Sequence, residues 1–203
     1  MLLRAIATFV NFIIRGAVFL AIAILGGFGS AWVMIHSGTQ LTSATAGPWV
    51  TWTAAGRLDA DPYTRAHTVR LGLLPLNSTL ALNYQAQTDV AGQRIHSSCV
   101  YVVDLSDLDA EWWSLAVYDE RGGLIRNGAN RYAYNTSTVL RDADGGTRIV
   151  VAREAKPGNW LPTAAAGRLV LSLTIQDPRW VSAALAERGR SRVLPVINTE
   201  SCR

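Results

Sequence analysis

Two polar–aromatic segments in the second half of the chain carry side chains that could bind a ligand. Asn159 and Trp160 follow a Lys-Pro-Gly sequence that is typical of a loop. The other segment contains Asn127, Arg131 and Tyr132. An aromatic ring beside an amide can stack on a sugar or a lipid headgroup while the amide forms hydrogen bonds. We therefore predict these five residues as a candidate ligand-binding set; the alternative is that Trp160 closes one end of the domain as a structural side chain.

Histidines, the commonest general acids and bases, are few in this sequence. His36 lies at the end of an apolar segment, and His67 and His96 lack the HxH or HExxH spacing of zinc sites. The nucleophile-elbow, P-loop and dinucleotide-binding patterns do not occur either. We predict no catalytic residue, no metal and no cofactor, and favour a binding module over an enzyme. The alternative is a hydrolase that uses His67 or His96 with a nearby carboxylate.

An uncharged, mostly apolar segment, residues 16–35, lies near the N-terminus. As a helix rising 1.5 Å per residue, a segment of this length spans about 30 Å, the hydrocarbon thickness of a bilayer. Arg4 and Arg15 precede it, and the next charged residue is Arg57. This asymmetry predicts an uncleaved membrane anchor with a cytoplasmic N-terminus and an exported C-terminal part. The alternative is a cleaved signal sequence, for which Ala44-Thr45-Ala46 has the small-x-small form.

These features divide the chain into three predicted parts. Residues 1–36 form a cytoplasmic lead-in and a transmembrane helix, residues 37–47 a tether of small and polar residues, and residues 48–203 an exported domain. The two cysteines, Cys99 and Cys202, both belong to the exported domain, where disulfides persist. We predict that they form a disulfide bond; the alternative is two unrelated thiols, because spacing alone does not determine geometry.

The charge of the chain does not indicate nucleic-acid binding. Its 19 basic residues exceed its 15 acidic residues, which gives a net charge of +4. A nucleic-acid groove needs a concentrated basic stripe, often with interleaved aromatic residues. The densest basic cluster in the chain, Arg188, Arg190 and Arg192, follows Glu187 directly and does not form such a stripe. We predict no nucleic-acid partner.

Short strand-like segments separated by turn sequences fill most of the exported part. In one of them the apolar residues Leu80, Leu82, Tyr84 and Ala86 alternate with Ala81, Asn83, Gln85 and Gln87, which is typical of a half-buried strand. The predicted strands are residues 80–87, 99–103, 112–118, 131–134, 147–153 and 168–176. Their spacing indicates a mainly β fold, an antiparallel, jelly-roll-like β-sandwich.

Two short helices are predicted to interrupt the strands. Asp61 and Asp177 are each followed by a proline, which places a capping carboxylate before the first helical position. The first helix is expected to end near Leu71 and the second near Arg188. Neither has a long apolar stripe, so both are expected to pack on the sandwich rather than to form a bundle.

Five motifs, taken in order, resemble domain-of-unknown-function family 1214, over about residues 47–198. The motifs are Gly47-Pro-Trp-Val-Thr-Trp52, Asp59-Ala-Asp-Pro-Tyr-Thr-Arg-Ala-His67, Trp112-Trp113 with Tyr118-Asp119, Asn127 through Arg131-Tyr132, and Asn159-Trp-Leu-Pro162. The resemblance implies a β-sandwich that in larger proteins follows a domain of family 1254. It supplies no catalytic residues. The family's "LRLY" pattern after the last motif is replaced here by Leu171-Ser-Leu-Thr-Ile-Gln176, so no role is transferred to those residues.

The function predicted from these features is that of a membrane-tethered envelope module. Short members of the family resemble proteins of the bacterial inner membrane with a periplasmic domain, often encoded beside a protein of the 1254 type. The leading hypothesis is therefore binding to another envelope protein, with a 1254-type protein as the expected partner. The alternatives are binding of a glycan or lipid headgroup through the candidate set, and hydrolysis of such a substrate.

Overall fold

The computed structural model describes residues 2–39, 41–187 and 193–202. Within these ranges the chain forms three helices: α1 (Leu2–Ser37), α2 (Pro62–Arg70) and α3 (Pro178–Ala186). The strands in the same ranges are β1 (Ser43–Ala46), β2 (Trp49–Trp52), β3 (Leu82–Ala86), β4 (Cys99–Asp104), β5 (Trp113–Asp119), β6 (Ala133–Asn135), β7 (Arg148–Ala152), β8 (Trp160–Pro162), β9 (Leu169–Ile175) and β10 (Val196–Cys202). The predicted basic cluster of Arg188, Arg190 and Arg192 lies outside the described residues.

The strands form two sheets, which confirms the prediction of a mainly β sandwich with two short helices. One sheet has six strands in the order β1-β2-β3-β9-β5-β6, and the other has four in the order β10-β4-β7-β8. One pair departs from the predicted antiparallel arrangement: β7 and β8 run parallel, with Val150 opposite Trp160. The chain between them turns back along β7, which allows Leu161 of β8 to be fully buried in the core.

One hydrophobic core lies between the two sheets. The alternation predicted from the sequence is observed from Leu82 onward: Leu82, Tyr84 and Ala86 are buried while Asn83 is exposed. The prediction was wrong for Leu80, which is exposed while Ala81 is buried, because Leu80 lies in a turn before β3. The four-stranded sheet contributes Tyr101, Val103, Ile149, Val151, Leu161 and Ile197 to the same cluster. Burial of alternate side chains from two sheets is the arrangement expected of a sandwich.

The predicted helix starts are confirmed. The Asp61 side chain accepts hydrogen bonds from the N–H groups of Tyr63 and Thr64 at the start of α2. Asp177 accepts from Arg179 and Trp180 in the same way at the start of α3. Each carboxylate satisfies backbone donors that have no partner within the helix.

All three helices join the same end of the six-stranded sheet, which we call the helix end. Leu82, Trp113 and Ile175 lie in register at this end, where α2 leads into β3 and α3 follows β9. The chain from α1 enters β1 at Ser43, which lies opposite Trp52. Strand β1 therefore occupies part of the segment expected to be a tether, because its small and β-branched residues pair with β2 instead of remaining irregular.

Helix α1 contains the apolar segment read from the sequence. Its residues Phe9–Ser37 have a mean hydropathy of 2.2 and are long and apolar enough to cross a membrane, and none of this span is buried against the rest of the protein. A buried core helix is therefore excluded for this segment. A membrane anchor and a signal sequence both satisfy these criteria.

Candidate functional site

The predicted ligand-binding residues lie where the edges of the two sheets meet. Strand β6 is the last strand of one sheet and β8 the last strand of the other. The Tyr134 hydroxyl accepts a hydrogen bond from the Trp160 N–H at 3.1 Å, and the Arg131 guanidinium donates to the Trp160 carbonyl oxygen at 3.3 Å. We call this junction of Asn127, Arg131, Tyr134, Asn159 and Trp160 the seam.

The Asn159 side chain is buried and hydrogen-bonds with the protein backbone rather than facing the solvent. It is 4% exposed. Its Oδ1 accepts from the Leu140 N–H at 2.7 Å, and its Nδ2 donates to the carbonyl oxygens of Leu140 and Arg148 at 2.7 and 2.9 Å. Both amide hydrogens and one oxygen lone pair are therefore used by backbone groups. The side chain holds the chain around Leu140 against β7 and β8.

Asn127 shapes the loop that carries Arg131. Its Nδ2 donates to the carbonyl oxygens of Ile125 and Arg131 at 3.0 and 2.9 Å, and its Oδ1 accepts from the Arg131 N–H at 3.1 Å. Asn130 adopts a positive φ of 48°, which asparagine tolerates better than most residues. The amide therefore closes a tight loop and fixes the position from which Arg131 reaches β8.

The accessible residues of the seam are Arg131 and Trp160, which are half-buried, as is the predicted residue Tyr132 next to Arg131 in the chain. The Trp160 Nε1 donates to the Ala152 carbonyl oxygen at 3.0 Å, which fixes the plane of the indole. The Arg131 guanidinium lies 5.5 Å from the centre of the Tyr134 ring, within the range of a cation–π interaction. A guanidinium beside an aromatic ring can bind an anionic or sugar-like group, and here it also blocks the backbone edge of β8 against pairing with another strand.

Neither candidate histidine has the environment of a catalytic base. His67 is buried, its ring stacks on that of Trp52 at 4.0 Å between centroids, and its Nδ1 lies 2.7 Å from the Ile35 carbonyl oxygen. Burial lowers the pKa of His67, against the opposing effect of the Ile35 carbonyl, and the charges of Arg70 and His36 lower it further. The Nδ1 of His96 hydrogen-bonds with the Ser98 hydroxyl at 2.8 Å. Within the described ranges neither ring is hydrogen-bonded to a carboxylate.

The acidic residues likewise form no ion-binding group. Among residues 2–39, 41–187 and 193–202, no cluster of three or more His, Cys, Asp or Glu side chains is placed to hold a metal ion. Buried Asp89 is used structurally: its Oδ2 accepts from the Thr199 hydroxyl at 2.6 Å. Burial raises the pKa of Asp89, but hydrogen bonds from Thr199, Gln93 and Ala91 outweigh it and hold the pKa below its ordinary value.

The predicted disulfide is confirmed. Cys99 and Cys202 are bonded, and they are register partners in the antiparallel pair formed by β4 and β10. The bond therefore attaches the C-terminal strand to the centre of the four-stranded sheet. With the contact between Asp89 and Thr199, it ties β10 to the domain at two points.

The model of a known family covers the middle of this fold. It is described as "Protein of unknown function (DUF1214)" and matches residues 80–180, from the start of β3 to the first turn of α3. Through this segment the chain belongs to the DUF1214 family. The segment includes the seam and Cys99, while α1, α2, β1, β2 and β10 lie outside it.

A solved structure shares the fold of the DUF1214 segment and its surroundings. The VPA0106 protein from Vibrio parahaemolyticus is similar with a TM-score of 0.60 at 19% identity, over 89% of this chain and 44% of that chain. This chain therefore spans less than half the length of the Vibrio protein. An uncharacterised protein from Burkholderia cenocepacia is similar with a TM-score of 0.40 at 15% identity, over 59% of this chain and 29% of that chain. No curated protein matches this chain.

Sequence reasoning missed two residues that organise the structure, one inside the DUF1214 segment and one before it. Tyr134, inside the segment, was predicted only as part of a strand, although its hydroxyl connects the two sheets at the seam. Trp52 was noted only as part of the first family motif, although its ring packs on His67 beside α1. The sequence signal for Tyr134 was its position at the end of the polar–aromatic segment. No comparable signal pairs Trp52 with His67.

Proposed function

We propose that this protein is a membrane-tethered module of the bacterial envelope whose sandwich binds another envelope protein. In this proposal α1 spans the inner membrane with its N-terminus in the cytoplasm, and the domain lies in the periplasm. The observation that carries it is an exposed apolar helix joined directly to the sandwich through Ile35 and His67. Arg4 and Arg15 on the N-terminal side support the orientation, and the disulfide supports an oxidising compartment.

The position of β1 favours an anchor over a cleaved signal sequence. The small-x-small sequence Ala44-Thr45-Ala46 lies within β1, where Ala44 pairs with Thr51 and Ala46 with Trp49. Cleavage there would remove an edge strand from the six-stranded sheet together with Ile35, the hydrogen-bond partner of His67. Because β1 is part of the sheet, an uncleaved N-terminal segment keeps the domain complete.

Binding to a protein partner is supported by the comparison of lengths. The Vibrio protein has this fold within a chain of which our protein covers 44%. The resemblance to family 1214 implies that larger proteins join a 1254-type domain and the sandwich in one chain. A separate 1254-type protein can supply that domain to a shorter chain. The buried, fully used amide of Asn159 favours a structural seam over a catalytic pocket.

Two measurements test the anchor and the partner separately. The anchor predicts that the full chain resists extraction by carbonate and becomes protease-accessible when only the outer membrane is permeabilised; a mature chain that begins after Ala46 would contradict it. For the partner, the tagged full chain is purified from detergent-solubilised envelope beside a control bait of residues 1–42, which has α1 but lacks the sandwich. One dominant protein recovered only with the full chain is expected, and equal recovery with both baits would refute partner binding by the sandwich.

The second candidate function is ligand binding at the seam, supported by half-buried Trp160, whose carbonyl oxygen accepts a hydrogen bond from the Arg131 guanidinium, and by half-buried Tyr132 next to Arg131 in the chain. Trp160→Ala is expected to abolish binding of an oligosaccharide probe such as chitohexaose, whereas Trp112→Ala removes a half-buried indole elsewhere and is expected to leave it intact. Equal binding by the wild type and Trp160→Ala would refute this site. For the hydrolase alternative, unchanged turnover in a His67→Asn, His96→Asn double variant would exclude histidine catalysis.

A further inference from the structure

Six exposed apolar side chains lie on the end of α2 and on the two chain segments that flank it. Leu58 is 96% exposed and Leu74 is 98% exposed. Single exposed leucines are common on protein surfaces, but a group of them in one region indicates an interaction site. The residues of this group, which we call the leucine patch, are Leu58, Val69, Leu71, Leu73, Leu74 and Leu76. The patch lies just before β3 and thus at the helix end of the six-stranded sheet.

Backbone contacts hold the two segments of the leucine patch side by side. The Arg65 guanidinium on α2 donates to the Leu58 carbonyl oxygen at 2.7 Å. The Ser78 N–H donates to the Ala55 carbonyl oxygen at 3.0 Å, which joins the loop after α2 to the segment before Leu58. The apolar side chains are therefore carried on connected, ordered chain rather than on independent loops.

The leucine patch lies beside the end of α1. Helix α2, which carries Val69, contacts α1 through the hydrogen bond between His67 and Ile35. Met34 and Ile35 are half-buried, whereas the apolar residues earlier in α1, from Phe9 to Phe28, are exposed. The sandwich therefore meets α1 only at its last turns, close to the level at which a spanning helix would leave the hydrocarbon.

The charges around the leucine patch suit an anionic surface. Residues 62–88 contain no Asp or Glu, and their only charged side chains are Arg65 and Arg70. Arg70, at the last position of α2, is exposed next to Leu71. Beside Leu58, the Asp59 carboxylate pairs with Arg57 and the Asp61 carboxylate caps α2, so the two arginines of α2 leave an excess of positive charge. Apolar side chains with an excess of flanking arginines are the composition of interfacial membrane-binding segments, because arginine attracts lipid phosphates while leucine enters the acyl boundary.

We propose that the leucine patch docks the sandwich onto the surface of the membrane that α1 spans, with the leucines in the boundary between headgroups and acyl chains. This inference rests on the proposed function, since it requires α1 to be an anchor. It adds that the helix end of the domain contacts the bilayer surface, whereas a domain on a flexible tether would make no such contact. The opposite end of the sheet, with the turn between Asp119 and Gly123, then faces away from the lipid.

The test uses the full, disulfide-bonded chain in vesicles of phosphatidylcholine and phosphatidylglycerol. An environment-sensitive fluorophore, NBD, is attached in separate variants at Leu74→Cys in the leucine patch, at Leu20→Cys in α1 and at Leu124→Cys. Leu124 is a matched control because it is 57% exposed and lies across from Tyr118, away from the helix end. Quenching by lipids brominated near the headgroup is expected to be about threefold stronger at position 74 than at position 124, and iodide quenching correspondingly weaker.

The outcomes separate this proposal from the anchor itself. If position 20 is quenched by brominated lipid while position 74 behaves like position 124, docking is refuted and the anchor stands. If position 20 is not quenched, α1 does not span the bilayer and both proposals fail. If position 74 is shielded from iodide but not quenched by brominated lipid, protein covers the leucine patch, which also refutes docking on lipid.

Discussion

The Nδ1 atom of His67 lies 2.7 Å from the carbonyl oxygen of Ile35, so a side chain of the sandwich is bonded to the last turn of α1. Because a carbonyl oxygen only accepts hydrogen bonds, Nδ1 must carry the hydrogen. The bond satisfies one of the four carbonyl groups that the C-terminus of a helix leaves without a partner. The stacked Trp52 ring holds the imidazole in place.

The lowered pKa of His67 predicts a loss of stability in mild acid. Burial favours the neutral ring in the folded state, so the folded pKa lies below the ordinary value of 6.5 and the unfolded chain binds the proton more tightly. The stabilisation is therefore complete above pH 6.5 and is lost as the pH falls below it. We expect the melting temperature of the full chain in detergent to fall between about pH 6.5 and 5. In His67→Asn, which retains a donor but does not titrate, this fall is expected to flatten; an unchanged pH profile would contradict the assignment.

Loss of the disulfide is expected to release β10. The bond between Cys99 and Cys202 closes a loop with a sequence separation of 103 residues, and removal of such a bond costs about 2–5 kcal/mol in small exported domains. Reduction should lower the denaturant midpoint and increase amide exchange in β10 before the other strands. The control is a Cys99→Ser, Cys202→Ser double variant, on which a reductant should have no effect. Equal stability of the oxidised and reduced forms would show that the bond contributes nothing.

Replacement of Asn159 is expected to destabilise the domain strongly. Asn159→Ala leaves the Leu140 N–H and two carbonyl oxygens without their partners in a buried site, for a cost of about 2–5 kcal/mol. Asn83→Ala is the matched control, since the exposed Asn83 bonds only the hydroxyls of Ser172 and Thr174 and should cost less than about 1 kcal/mol. Chemical denaturation measures both. Similar losses in the two variants would argue against a structural role specific to Asn159.

The two helix caps are expected to differ in strength. Asp177 is buried and also accepts a hydrogen bond from the Glu111 N–H at 3.1 Å, whereas Asp61 bonds only within its own helix. Asp61→Ala should cost about 1 kcal/mol and Asp177→Ala about 2–3 kcal/mol, as judged by denaturant unfolding. Burial raises the pKa of both carboxyls, but the hydrogen bonds they accept lower it by more, so each pKa lies below its ordinary value in the folded protein. Both caps therefore stabilise the fold above about pH 4 and lose strength below it. An equal cost for both variants would exclude the contribution of Glu111.

Strong local patterns made part of the fold predictable. Strand β3 alternates buried residues with exposed or half-buried ones, and the Asp-Pro pairs mark the two short helices by capping chemistry. Strand β10 was missed because only Ile197 of its seven residues is buried, so it shows no alternation. Its place in the sheet depends on β4 and on the disulfide, which are distant in sequence.

The candidate site was predictable in location but not in chemistry. The polar–aromatic segments around Arg131 and Trp160 do meet, as a shared composition suggested. The partners of Asn159 lie 19 and 11 residues away, at Leu140 and Arg148, and no local pattern relates an amide to backbone groups at such distances. The sequence therefore predicted that the Asn159 amide could bind a ligand, and the structure shows that this amide is hydrogen-bonded to the backbone instead.

Strand β4 lies between β7 and β10, yet its cysteine is bonded to a residue 103 positions later in the chain. During synthesis from the N-terminus, one edge of β4 stays without a partner until β10 has been made. At about 5–20 residues per second, the intervening chain takes roughly 5–20 s to appear, and an open strand edge is a site for aggregation or for chaperones throughout that time. We therefore expect the vulnerability of this protein during maturation to be set by the speed of synthesis rather than by the stability of the finished sandwich.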